Sequence, residues 1–180
     1  HIHIGADFFK TKKEWLIFFY LFTACEEIIY LLSNAENSLP RKRSDYYAQY
    51  LTDEFLEAIE DGILTIDDSE SYNEFLENLK ESIQPSTFRN KSVNILNTNT
   101  QNKNTIEFRM ANGTLDFDII HQNLKLFALI LVFTQKLSSD YDKGLNYVDK
   151  LLSLEINERA KYFINSLFTD EKDKEFVLQR

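Results

Sequence analysis

Between Thr105 and Met110 the chain alternates polar with apolar residues, setting Thr105, Glu107 and Arg109 against Ile106, Phe108 and Met110. Residues two apart share a strand face, so this run predicts a strand with one face for a core and one that carries a carboxylate and a guanidinium. The first residues repeat the pattern, with His1, His3 and Gly5 alternating with Ile2 and Ile4. Ser92 to Leu96 and Thr105 to Met110 read as a hairpin, joined by the polar stretch Asn97 to Asn104, which we expect to be a mobile cover.

Elsewhere the period is helical. Thr11-Lys12-Lys13-Glu14 fits a capping box and predicts a helix from there to about Leu32. Between Trp15 and Phe22 that helix is apolar all round, which places it between layers, with the sheet's apolar face on one side. A polar connector from Ser33 to Lys42 follows. Two amphipathic helices are expected between Thr52 and about Lys80, with stripes at Phe55, Leu56 and Ile59 and at Tyr72, Phe75, Leu76 and Leu79. Asn112-Gly113 suits a tight turn before a long apolar helix from Asp116 to about Leu137. Shorter helices are predicted around Leu145 to Leu152, Ile156 to Leu167 and Glu171 to Leu178.

The 180 residues, 43% of them hydrophobic, suffice for one sizeable core, so residues 1–180 read as a single domain. Four glycines and two prolines leave few breaks and favour a helix-rich α+β fold with a small antiparallel sheet. A formal charge of -9 leaves no broad basic surface for counterion release, which argues against nucleic acid as a partner. The one cysteine, Cys25, excludes an internal disulfide or a thiolate metal cluster and points to a reducing, cytoplasmic setting. The longest apolar run, Trp15 to Cys25, is too short to span a bilayer, where about 20 residues are needed, so no membrane is expected. Because the chain opens inside a predicted strand, an upstream segment is also expected.

The polar strand faces carry the candidate chemistry. His1 and His3 on one face can reach a shared ion or phosphate, and otherwise they are simply exposed histidines. If the strands share a sheet, Glu107 joins them as an oxygen ligand with Arg109 one pleat along; the plainer reading is a strand ion pair. Asn94 on the neighbouring strand is a weaker candidate. Lys10, Lys12 and Lys13 crowd a helix N-terminus, where the macrodipole disfavours cations, so either a bound polyphosphate or solvation relieves them. Arg41, Lys42 and Arg43 form a local positive spot suited to a carboxylate or phosphate, or to pairing with the acidic helices. No Gly-rich phosphate loop, Gly-x-Ser-x-Gly elbow or Cys-His pair occurs, which disfavours covalent catalysis.

His1-Ile2-His3-Ile4-Gly5-Ala6-Asp7 and the run Thr105 to Thr114 with its following apolar helix resemble the amidoligase family of bacteria and phages, related to glutamine synthetase and the glutamate–cysteine ligases. Arg41 to Tyr47, Arg89, Asn90 and Asn94 support the resemblance. It implies part of a glutamine synthetase-like catalytic fold and a carboxylate–amine ligase that uses ATP and Mg2+ to make an acyl phosphate. The amine and carboxylate substrates are then small molecules or peptides, and a homo-oligomer is in keeping with such relatives. Carried over by residue, His1 and Glu107 are implied as magnesium ligands and His3 as a nucleotide phosphate contact. Arg109 would hold the carboxylate or acyl phosphate, with Arg41 and Arg43 as phosphate-side cations. Lys10, Lys12 and Asn94 complete the candidate cofactor contacts. Thr105 departs from glutamine synthetase, where a basic residue sits two positions before the strand glutamate. Two other readings stay open: a zinc hydrolase built on His1, His3 and Glu107, and a non-catalytic helical interaction module.

Overall fold

In the computed structural model, which describes residues 1–34, 48–66, 69–84, 90–100 and 103–178, the alternating runs become strands of one sheet. Strands β1 (Ile2–Gly5), β2 (Val93–Asn94) and β3 (Thr105–Phe108) lie in the order β1-β3-β2, and both pairings are antiparallel. Ile2, Phe108 and Val93 stand opposite one another, as do His3, Glu107 and Asn94. Residues directly opposite share a face. The register therefore puts one row against the core and the next on the polar face.

The apolar face rests on two helices. Helix α1 (Lys12–Ala24) begins at the expected capping box, with Thr11 and Glu14 exchanging backbone bonds. It is buried all round, as its continuous apolar run requires, and it packs on α5 (Phe117–Ser138) and α6 (Tyr141–Leu152). Phe108 is the junction: its ring lies 6.3 Å from both Phe18 and Phe22 of α1 and stacks 4.3 Å from Phe127 of α5. Helices α3 (Thr52–Glu60) and α4 (Tyr72–Ile83) cover α1 elsewhere, bringing Phe55 and Phe75 into the core. Helices α7 (Ile156–Leu167) and α8 (Glu171–Leu178) follow α6.

The helix expected to run unbroken to Leu32 bends by 71° into α1 and α2 (Glu26–Leu32). Thr23 turns its hydroxyl back on Phe19 O and Tyr20 O, a bond that bends helices, and Cys25 leaves helical geometry with φ -120° and ψ 11°. Arg159 of α7 satisfies the freed end by donating to Ala24 O at 3.1 Å.

The expected mobile cover is instead tied down at its described ends. Asn104 O accepts from Ala6 N at 2.8 Å, Asn99 N donates to Asn104 Oδ1 at 2.8 Å, and Thr98 is buried on Ile95 O. Residues 101 and 102 lie outside the described part. Helix α5 begins where expected, with Asp116 as its N-cap, and it is long and apolar enough to cross a membrane, contrary to the expectation that no segment is. Here it packs on α1, and it buries Asn123 and Thr134 with hydrogen bonds to Ser33 O and Ile130 O.

Candidate active site

The central strand β3 presents Glu107 between a histidine on one side and an asparagine on the other, because His3 and Asn94 are its partners in register. The carboxylate is divided between them. Oε1 lies 2.7 Å from His1 Nδ1 and 3.8 Å from His3 Nε2, while Oε2 accepts from Asn94 Nδ2 at 2.7 Å and lies 3.7 Å from Arg109 Nη1. Glu107 and Asn94 are buried, at 5% and 1% exposure, whereas His1 and His3 stay open to solvent. A buried carboxylate held from both sides has little rotational freedom. The expected strand ion pair with Arg109 exists at 3.7 Å, longer than the bonds to His1 and Asn94. His3 Nδ1 also lies 3.4 Å from Thr105 Oγ1, so the hydroxyl that departs from the expected basic residue stands on the same face.

Behind this row sits a second polar layer. Arg109 N donates to Ser92 O at 2.8 Å, which continues the β2 side of the sheet past Val93. The Ser92 hydroxyl donates in turn to Glu26 Oε1. Glu26 also accepts from Thr52 Oγ1 at 2.7 Å and from Leu51 N at 3.2 Å, thereby capping α3, whose N-cap Leu51 has no side-chain acceptor. Burial pushes the Glu26 carboxyl above its ordinary value, and the bonds from Ser92, Thr52 and Leu51 pull the other way. Nothing in the local sequence marks Glu26. Its role depends on partners far along the chain, at Leu51, Thr52 and Ser92.

The other candidates fall elsewhere. Lys12 turns its ammonium to Glu70, 3.4 Å from Oε2, and Lys13 lies 5.9 Å over the Tyr141 ring. The Glu14 carboxylate takes the Lys10 and Thr11 amides, so part of the helix end expected to hold phosphate is satisfied within the chain. Lys10 stands on the rim of a small cavity beside Asp7 rather than on the Glu107 face. Arg41 and Arg43, with Arg89, lie outside the described residues.

A divalent cation can be tested against this geometry. Two neighbouring ligands of an octahedral magnesium stand roughly 3 Å apart, given metal–oxygen distances of about 2.1 Å. The 2.7 Å between His1 Nδ1 and Glu107 Oε1 is the length of a direct hydrogen bond, so a cation held by both would part them by a few tenths of an ångström, a small movement for the exposed His1. Among the described residues no group of three or more His, Cys, Asp or Glu side chains is placed to hold a metal. The three-ligand zinc arrangement of His1, His3 and Glu107 is thus not formed, with His3 the displaced member at 3.8 Å.

Comparison with known proteins agrees on one family. The model of the family described as "Putative amidoligase enzyme" matches residues 1–131, which takes in all three strands, helices α1 to α4 and most of α5. No curated protein and no solved structure matches the chain.

Proposed function

Since this chain belongs to the amidoligase family, we propose that it joins a carboxylate to an amine at the expense of ATP, with Mg2+ and an acyl phosphate intermediate. The observation that carries the reading is the divided carboxylate of Glu107, fixed by Asn94 on one oxygen and offered with His1 on the other. In this reading the sheet is part of a glutamine synthetase-like catalytic fold.

His1 and Glu107 would hold the magnesium, which supplies positive charge to the phosphate oxygens and lowers the cost of their negative charge in transfer. Asn94 keeps Glu107 from rotating away from His1, a supporting bond of the kind that orients metal ligands. His3 and Thr105, side by side on the open end of the face, contact the nucleotide phosphates. Arg109 holds the substrate carboxylate while its oxygen attacks the terminal phosphorus and ADP leaves. The amine nitrogen then attacks the acyl carbon, phosphate departs and the nitrogen gives up a proton. Arg41 and Arg43 serve as the phosphate-side cations.

The test is ADP release by the full-length protein with magnesium-ATP and pooled amino acids and amines, beside Glu107→Ala. Release that depends on an added substrate and is lost in the variant supports the ligase. Release equal in both proteins would overturn the assignment of Glu107.

A further inference from the structure

At the far end of the β1–β3 pair from His1, a cavity of about 110 Å³ opens between the turn after β1, the starts of α1 and α4, and the hairpin loop. Phe9, Trp15, Leu76 and Thr98 make its buried wall, and Asp7, Lys10 and Asn99 stand exposed at its rim. The volume suits the end of an alkyl chain, since whole small-molecule ligands occupy roughly 300–1,000 Å³.

The chemistry of the lining shows what that end carries. Apart from the exposed Lys10 ammonium at the rim, its side-chain donors are spent within the chain. Trp15 Nε1 donates to Tyr72 Oη at 2.9 Å, Tyr72 Oη to Phe9 O at 3.2 Å, and Thr98 Oγ1 to Ile95 O at 2.7 Å. Asn104 Nδ2 donates to Asp7 Oδ1 at 2.6 Å, and Asn99 Nδ2 to Asn73 Oδ1 at 3.1 Å. Among the described residues, Asp7 Oδ2 and the Asn99 side-chain oxygen keep their acceptor capacity. Three aromatic side chains, Phe9, Trp15 and Tyr72, add ring faces that attract cations. Burial raises the Tyr72 hydroxyl above its ordinary value; the hydrogen bond from Trp15 opposes this, and the Glu14 and Asp7 carboxylates add smaller upward contributions.

We propose that this cavity binds an alkylammonium group, its stem on the aromatic wall and its nitrogen at Asp7 and Asn99. Asn104 lies three residues before Glu107, an odd step along the strand, so the cavity opens on the opposite side of the sheet from the Glu107 face and is a separate site. Binding of the cation stands on the cavity alone and is independent of the ligase reading.

Trp15, the chain's one tryptophan, lines the cavity and reports on it directly. Titration with n-butylammonium chloride is expected to change Trp15 fluorescence saturably, and sodium butyrate at equal ionic strength is expected not to. Asp7→Asn keeps an acceptor for Asn104 and removes the charge, so it should weaken binding by about tenfold. Asn99→Asp and Lys10→Ala, which make the rim more negative, should tighten it. A response shared with butyrate, no saturable response, or an affinity unchanged in Asp7→Asn would overturn the proposal. Cation binding without ADP release under any substrate would leave this site standing and remove the ligase reading; ADP release without cation binding would do the reverse.

Discussion

Asn94 and Glu107 meet across the β2–β3 pair with a 2.7 Å hydrogen bond at their register position, and both are buried. That bond turns a strand carboxylate into a fixed one. Without it the Oε2 atom would keep only the 3.7 Å approach of Arg109, and the orientation toward His1 would be free to drift.

Replacing Asn94 should therefore affect activity more than folding. Asn94→Ala leaves a buried carboxylate oxygen without its amide partner, a loss of about 1–3 kcal/mol. ADP-forming activity should fall by about 10–100-fold, as for other residues that orient a metal ligand. The pattern to look for is a raised magnesium requirement beside a modest drop in melting temperature. Activity that falls only as far as the folded fraction does would assign Asn94 a purely structural part.

Glu26 should give the protein a stability that declines as pH rises above the ordinary carboxylate range. Its native carboxyl lies above its unfolded value, chiefly through burial, so the native state binds the proton more tightly. The contribution is complete below the unfolded value and is lost as pH climbs through the native one. Glu26→Gln cannot titrate, and its amide oxygen can still accept from Leu51 or Thr52. Denaturation measured at a series of pH values should show a flatter acid-to-neutral profile for the variant; parallel profiles would refute the assignment.

Alternation made the sheet legible. His1 to Gly5 and Thr105 to Met110 predicted two strands and their faces, and the register then brought His3 opposite Glu107. The Thr11–Glu14 capping box likewise marked where α1 begins, because a cap is local chemistry, whereas the equivalent Ser71–Glu74 box at the start of α4 is seen only in the structure. What was not legible depends on contacts between distant segments. At the kink Ala24 O is met by an arginine 135 positions away, and the partners of Glu26 lie 25, 26 and 66 positions along the chain. Asn94 looked minor in sequence, since an asparagine in a short strand acquires its importance from the residue opposite it. Lys12 looked suited to a phosphate until Glu70 proved to be its partner.

Gly144 marks a close approach between α6 and the end of α5. A Cβ there would come within 3.0 Å of Leu137 O and 2.9 Å of Ile17 Cδ1. The isoleucine tip can rotate, but the carbonyl cannot move without its helix. Gly144→Ala gains about 1 kcal/mol of helix propensity and meets an overpacking cost of about 1–3 kcal/mol. We expect net destabilisation on the order of 1 kcal/mol, with a larger loss for Gly144→Val. A Gly144→Ala protein more stable than its parent would mean that the two helices separate at little cost.

Arg159 closes the α1–α2 break from outside the stretch shared with the family. Its guanidinium donates to Ala24 O at 3.1 Å, Leu154 O at 3.1 Å and Leu152 O at 3.3 Å, so one side chain satisfies carbonyls at the ends of two helices. A lysine ammonium is a single point and cannot reproduce that fork, so Arg159→Lys should destabilise by about 1–2 kcal/mol and Arg159→Met by more. The effect should also reach the site. With Ala24 O unpaired, the kink that holds Glu26 against Ser92 loosens, and Ser92 O is the acceptor for the Arg109 amide. Hydrogen exchange in Arg159→Lys should therefore show faster exchange at the Leu51 and Arg109 amides than in the parent, while the Ile4 amide, which faces Ile106 across the β1–β3 pair, keeps its rate. Uniform acceleration across the chain would indicate global destabilisation alone and would separate the α7 clamp from the candidate site.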